Sequence, residues 1–109
     1  MSALTEDDCD GALQFLEETC DAIAAAKAEL ERSGILAKRT RKRIFLTVSE
    51  GSVAQREAFA ETHSDVISAD QRYVDAITEY EALKAKREIQ SIKVDVYRTQ
   101  AASRRTASK

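Results

Sequence analysis

The sequence predicts an all-α protein: a long antiparallel helical hairpin, coiled-coil-like, that assembles into a helical bundle. Three observations carry this. The chain has 109 residues, no proline, three glycines (Gly11, Gly34 and Gly51) and a third of its residues charged, a composition that favours long helices over loops. Its charges fall in four alternating blocks. Residues 1–31 hold nine acids against Lys27, and residues 32–49 hold six bases and no acid. Residues 50–81 hold eight acids against Arg56 and Arg72, and residues 82–109 hold eight bases against Glu88 and Asp95. A reversal near Glu50 and Gly51 sets residue i roughly opposite residue 101 − i, so each block meets its complement. Finally, apolar residues recur in steps of three and four, the heptad spacing of helix pairs.

The first helix has a start signal in Thr5 and Asp8, a capping box with acids in the first turn, where the helix dipole favours them. Its expected seam is Cys9, Leu13, Leu16, Cys20, Ile23, Leu30, Ala37, Ile44 and Val48. Lys27, Gly34 and Arg41 hold the remaining inward positions, so the seam weakens in the middle. Ser33-Gly34 is the expected kink or break, and whether residues 5–48 are one helix or two stays open. Ile44 to Val48 reads as a helix end or a short strand, with helix preferred because no matching strand lies nearby.

Gly51 suits the left-handed conformation that ends a helix, and Ser52 with Gln55 makes a second capping box, placing the turn at 49–52. The second helix is expected from Ser52 to about Ala102, with residues 103–109 as a flexible basic tail. One stripe on it is Phe59, Val66, Ala69, Tyr73, Ala76, Tyr80 and Leu83, widened by Val74 and Ile77. A second stripe, Ala82, Ala85, Ile89, Ile92 and Val96, is displaced around the helix. Residues 92–97 also alternate like a strand, but strong helix formers flank them. One partner helix cannot cover both stripes, so Tyr73, Ile77, Tyr80, Ile89, Ile92 and Val96 are the expected seam of a homodimer or higher oligomer, two hairpins making a four-helix bundle. The apolar fraction of 43% is rich in alanine, and a chain this small buries little surface by itself, which also favours self-association.

Catalytic machinery is hard to find, and no cofactor is expected. The single histidine, His63, has no second histidine or nearby cysteine to make a metal or general-base site, and no phosphate loop or nucleophile elbow is present. Glu6, Asp7, Asp8 and Asp10 could bind a cation loosely, but the helix cap is a sufficient explanation for them. Cys9 and Cys20 lie about 16 Å apart along a helix, too far for an intrachain bridge. No apolar run approaches the ~20 residues of a membrane span, and the acidic start lacks the features of a signal peptide; the expected location is the cytoplasm. The strongest binding candidate is the cluster Lys38, Arg39, Arg41, Lys42 and Arg43, joined by Arg104 and Arg105 near the other end of the chain. Five charges in six residues surround a helix, so a single facing helix cannot neutralise them all. They either grip a polyanion such as nucleic acid or balance Glu57, Glu61 and Asp65 across the hairpin. No aromatic residue is interleaved to stack on bases.

At Gly51-Ser52-Val53-Ala54-Gln55-Arg56-Glu57-Ala58, at Tyr80-Glu81-Ala82-Leu83-Lys84-Ala85-Lys86-Arg87 and from Val94 to Arg105, the chain resembles short helical proteins of tailed phages and prophages, encoded in replication and recombination gene clusters beside single-strand annealing proteins. That family shows a Gly-Thr-Val-Ala-Glu-Arg type turn and a Glu-Val-Trp-Arg-Ser type segment ending in paired arginines. Ser52, Gln55 and Tyr97 replace the threonine, glutamate and tryptophan. The resemblance covers those segments only and carries no catalytic residue with it. It implies a non-enzymatic accessory or adaptor in a bacterial host's cytoplasm, acting around DNA recombination or replication through contacts with another phage or host protein. The alternatives are sequence-independent DNA binding and, since acidic helix faces can imitate DNA, inhibition of a host nuclease or defence system.

Overall fold

The computed structural model describes residues 3–108. They form α1 (Glu6–Glu18), α2 (Cys20–Thr47), α3 (Val53–Thr62) and α4 (Ser64–Ala107), with no strand among them. The fold is all-α, a helical hairpin with a coiled-coil-like seam. The chain divides into two compact units, one made of residues 1–24 and 81–109, the other of residues 25–80, where the sequence reading expected a single domain over 1–102.

Both capping boxes form. Thr5 Oγ1 accepts from the Asp8 amide at 3.1 Å while Asp8 accepts from the Thr5 amide at 2.9 Å, and Ser52 and Gln55 repeat the exchange at the start of α3 at 3.2 and 2.9 Å. Each satisfies amides that a helix start leaves without partners. Gly51 precedes Ser52 with φ +99°, a conformation that costs a side-chain-bearing residue.

Residues 5–48 make two helices, and the break is at Thr19 rather than Gly34. Thr19 has φ −102° and ψ 5°, and its hydroxyl donates to the Phe15 carbonyl at 2.7 Å. Across the first unit, Arg87 of α4 donates to the Leu16 carbonyl at 2.7 Å and also bonds the Thr19 hydroxyl. A guanidinium inserted at the end of the helix ladder is a physical cause for the interruption. α2 passes through Gly34 unbroken, because glycine there serves close approach: a Cβ would lie 3.0 Å from the Tyr73 ring. α2 remains helical through Thr47, and residues 92–97 are helical too.

The seam corrects the expected one at Leu13, Cys20 and Lys27, which are exposed. Cys9, Leu16, Ile23, Leu30, Ala37 and Ile44 are buried or half-buried as expected, but their companions are Ala12, Thr19 and Ala26 instead of Leu13, Cys20 and Lys27, while further along Ser33 and Thr40 are buried beside the half-buried Gly34 and Arg41. Small residues allow the opposing helix to come close. The buried hydroxyls of Ser33 and Thr40 are satisfied by the Leu30 and Leu36 carbonyls at 3.2 and 2.7 Å, so polarity costs little there. On α4 the matching line is Val66, Ala69, Tyr73, Ala76 and Tyr80 in the second unit, then Leu83, Arg87, Gln90, Val94 and Tyr97 in the first. Cys9, Ala12, Val94 and Tyr97 pack together in the first unit, and Ile44, Phe45, Ala60 and Val66 in the second.

The return helix is also interrupted. His63 separates α3 from α4: its backbone is extended, its carbonyl accepts from the Ile67 amide at 3.0 Å, and its Nδ1 accepts from the Asp65 amide at 3.1 Å. Histidine therefore acts as the N-terminal cap of α4. Because the reversal consumes α3 as well as residues 49–52, register departs from the expected rule toward the turn. Glu29 meets Arg72 as expected, but Arg41 meets Asp70 rather than Ala60, and Arg43 meets Asp65 rather than Ala58. At the other end, α4 continues through Ser103, Arg104 and Arg105 to Ala107 in place of the expected tail. No glycine or proline stops it, and the two arginines suit a helix C-terminus.

Candidate interaction surfaces

The α2 cluster splits into engaged and available cations. Arg41 Nη2 lies 2.7 Å from an Asp70 carboxylate oxygen, and Arg43 Nη2 lies 3.3 Å from Asp65. Both pairs are substantially exposed, so each stabilises the unit modestly. Lys38, Arg39 and Lys42 have no ion-pair partner among the described residues. Their expected partners Glu57 and Glu61 stand on α3, across an open cleft of about 480 Å³. Its basic wall is Lys38, Arg41 and Lys42, its floor Phe45, Leu46 and Ala60, and its other wall the two glutamates. Arg56 fastens α3 to α2 at the lining residue Phe45: its guanidinium sits 4.4 Å above the Phe45 ring and donates to the Phe45 carbonyl at 3.4 Å. Arg104 and Arg105 belong to the other unit, exposed on the last turns of α4. The seven basic candidates are thus spread over two units.

Glu29 and Arg72 shift each other's titration. Arg72 Nε donates to Glu29 Oε1 at 2.8 Å, and Arg32 approaches the other carboxylate oxygen at 3.2 Å. The Arg72 hydrogen bond holds the Glu29 carboxyl below its ordinary range, with both guanidinium charges adding to the effect, and Glu29 raises the Arg72 value in turn. Asp8 is lowered too, first by the Thr5 amide and hydroxyl and then by the nearby charge of Lys93.

The six residues expected to form an intermolecular seam separate into two groups. Tyr73 and Tyr80 lie on the intrachain seam line, Tyr73 against Gly34, with Ile77 half-buried beside it. Ile89 and Ile92, more than half exposed, and Val96, 39% exposed, point outward with Ala82 and Ala85. Leu46, Ile67, Val74 and Ile35 are also more than half exposed, all in the other unit. Several large aliphatic side chains therefore stand outside while alanine, serine and threonine share the inside with Ile44, Val66 and Val94.

His63 is half-buried, with its ring 6.0 Å from Phe59 in an edge-on contact. Among the described residues no group of three or more His, Cys, Asp or Glu is placed to hold a metal ion, and no helix is long and apolar enough to cross a membrane. Arg87 and Arg56, which fasten α1 and α3 respectively, are the polar residues that sequence reasoning missed. Their only signal is a cation on an otherwise apolar line or beside an aromatic ring. No protein family, curated protein or solved structure matches the chain.

Proposed function

We propose that this chain is a non-enzymatic accessory or adaptor protein that works around phage DNA recombination or replication by protein contacts through its helix faces, as a homo-oligomer. The observation that supports it is the distribution of apolar residues: Ile35, Leu46, Ile67, Val74, Ile89 and Ile92 are each more than half exposed, and large apolar side chains left outside are a feature of protein-binding surfaces. The resemblance at the Gly51 turn and along α4 supplies the biological setting. The test is affinity capture from infected-cell lysate after nuclease treatment, with partner identification. A recombination or replication protein retained by the wild type and lost with Ile67→Asp or Ile89→Asp supports the adaptor reading.

A second reading, sequence-independent DNA binding, is favoured by Lys38, Arg39 and Lys42, which have no acidic partner among the described residues. Capture of DNA alone, with affinity falling steeply as salt rises, would put it first.

A further inference from the structure

α4 carries an exposed apolar stripe on its outward side, flanked by charges of opposite sign. Ala82, Ala85, Ile89, Ile92 and Val96 follow steps of three and four on the side of α4 away from its intrachain line of Leu83, Arg87, Gln90, Val94 and Tyr97. All lie within the first unit. Helical spacing puts Glu81, Glu88 and Asp95 along one flank of this stripe and Lys86 and Lys93 along the other. None of the three acids has an ion-pair partner among the described residues.

We propose that two copies associate through this stripe with their α4 helices parallel and in register. In a parallel pair the two flanks meet in the crossed sense, so Glu81 faces Lys86 of the second copy, Glu88 faces Lys93, and Asp95 faces Gln100. An antiparallel pair sets acid flank against acid flank and lysine flank against lysine flank, which is repulsive throughout. The apolar positions are the same in both directions; the charges choose between them. The inference rests on the self-association proposed above and adds its face, orientation and register.

The test uses the full-length chain carrying Cys9→Ala and Cys20→Ala, with Ala85→Cys in one preparation and Val96→Cys in another. After mild oxidation, 85–85 and 96–96 crosslinks are expected, and a mixture of the two preparations gives no 85–96 product. A dominant 85–96 crosslink means antiparallel pairing and overturns the proposal while leaving self-association standing. Sedimentation of charge variants is the second readout. Glu88→Lys and Lys93→Glu each weaken the dimer several-fold, and the double variant, which restores the crossed pair, recovers wild-type affinity. Failure of the double variant to recover also overturns the proposal. A wild type that stays monomeric at all concentrations removes the self-association reading together with this one.

Discussion

The Tyr73 ring occupies the space that a side chain on Gly34 would need: a Cβ there would come 3.0 Å from Cε1 and 3.3 Å from Cζ. Gly34 lies in the interior of α2, where glycine costs roughly 1 kcal/mol against alanine. In the wild type, Gly34→Ala is expected to gain little or lose stability, because the propensity gain is spent on displacing the ring. In a Tyr73→Ala background the same change is expected to stabilise by about 1 kcal/mol. Urea melts of the four proteins form the cycle, and equal effects of Gly34→Ala in both backgrounds would refute the contact.

Arg87 closes the break at Thr19 by bonding the Leu16 carbonyl and the Thr19 hydroxyl. Arg87→Met keeps most of the side-chain volume and removes both bonds, so a loss of about 1.5–3 kcal/mol is expected, the range for hydrogen bonds involving a charged group. Arg105→Met, on an exposed turn, is the control and should leave the melt unchanged. Similar melting temperatures for both variants would mean that the break forms without the guanidinium.

The two caps bounding α3 have separate signatures. Ser52→Ala is expected to cost about 1 kcal/mol and so is His63→Ala, since each removes an acceptor for a first-turn amide, whereas His63→Asn keeps one and should cost less. Any binding activity of the protein is expected to survive His63→Asn, because the histidine is explained as a cap. Loss of activity in a folded His63→Asn protein would point to a chemical role instead.

Acid should weaken the fold through two identified carboxylates. Glu29 and Asp8 both titrate below their ordinary ranges when folded, so the folded state binds protons less readily than the unfolded chain. Their contribution is complete at neutral pH and is lost as pH falls through the folded values. Glu29→Gln is expected to lower the melting temperature at neutral pH and to flatten its decline in acid. An unchanged slope would remove Glu29 from the account.

Salt separates the two roles of the basic cluster. Arg39→Glu with Lys42→Glu changes cations that have no ion-pair partner among the described residues, so thermal stability should change by less than about 0.5 kcal/mol, while any DNA affinity disappears. Arg41→Glu should instead destabilise, because it sets a carboxylate against Asp70. If the double reversal and Arg41→Glu lower the melt equally, the cluster is a structural unit.

Features governed by near neighbours in sequence were legible. Thr5 with Asp8 and Ser52 with Gln55 cap helices, and Gly51 takes positive φ, because the partners lie within one turn. Half of the seam was legible too, from Cys9 to Ile44 at every seventh residue. The other half was not, since a search for apolar residues selects Leu13 and Cys20 over Ala12 and Thr19, and discounts the buried hydroxyls of Ser33 and Thr40. The break at Thr19 was hidden because its cause, Arg87, is 68 residues away in sequence. The shifted pairing of Arg41 with Asp70 was hidden by the cap at His63, a residue type with weak capping preference. On the surface, the composition of the α2 cluster was readable, but its division into Arg41 and Arg43 engaged and Lys38, Arg39 and Lys42 available depends on which way each position faces.

A seam of Ala12, Ala26, Ser33, Ala37 and Thr40 selects by volume and is largely indifferent to hydropathy. Alanine, serine, glycine and threonine are interchangeable there at modest cost, while leucine or methionine must push the opposing helix away. Evolution is therefore free to let polarity drift along this line provided bulk does not. Distant relatives of the chain would retain a periodic column of small residues beside the apolar line from Cys9 to Ile44, and would be recognised by that alternation of sizes.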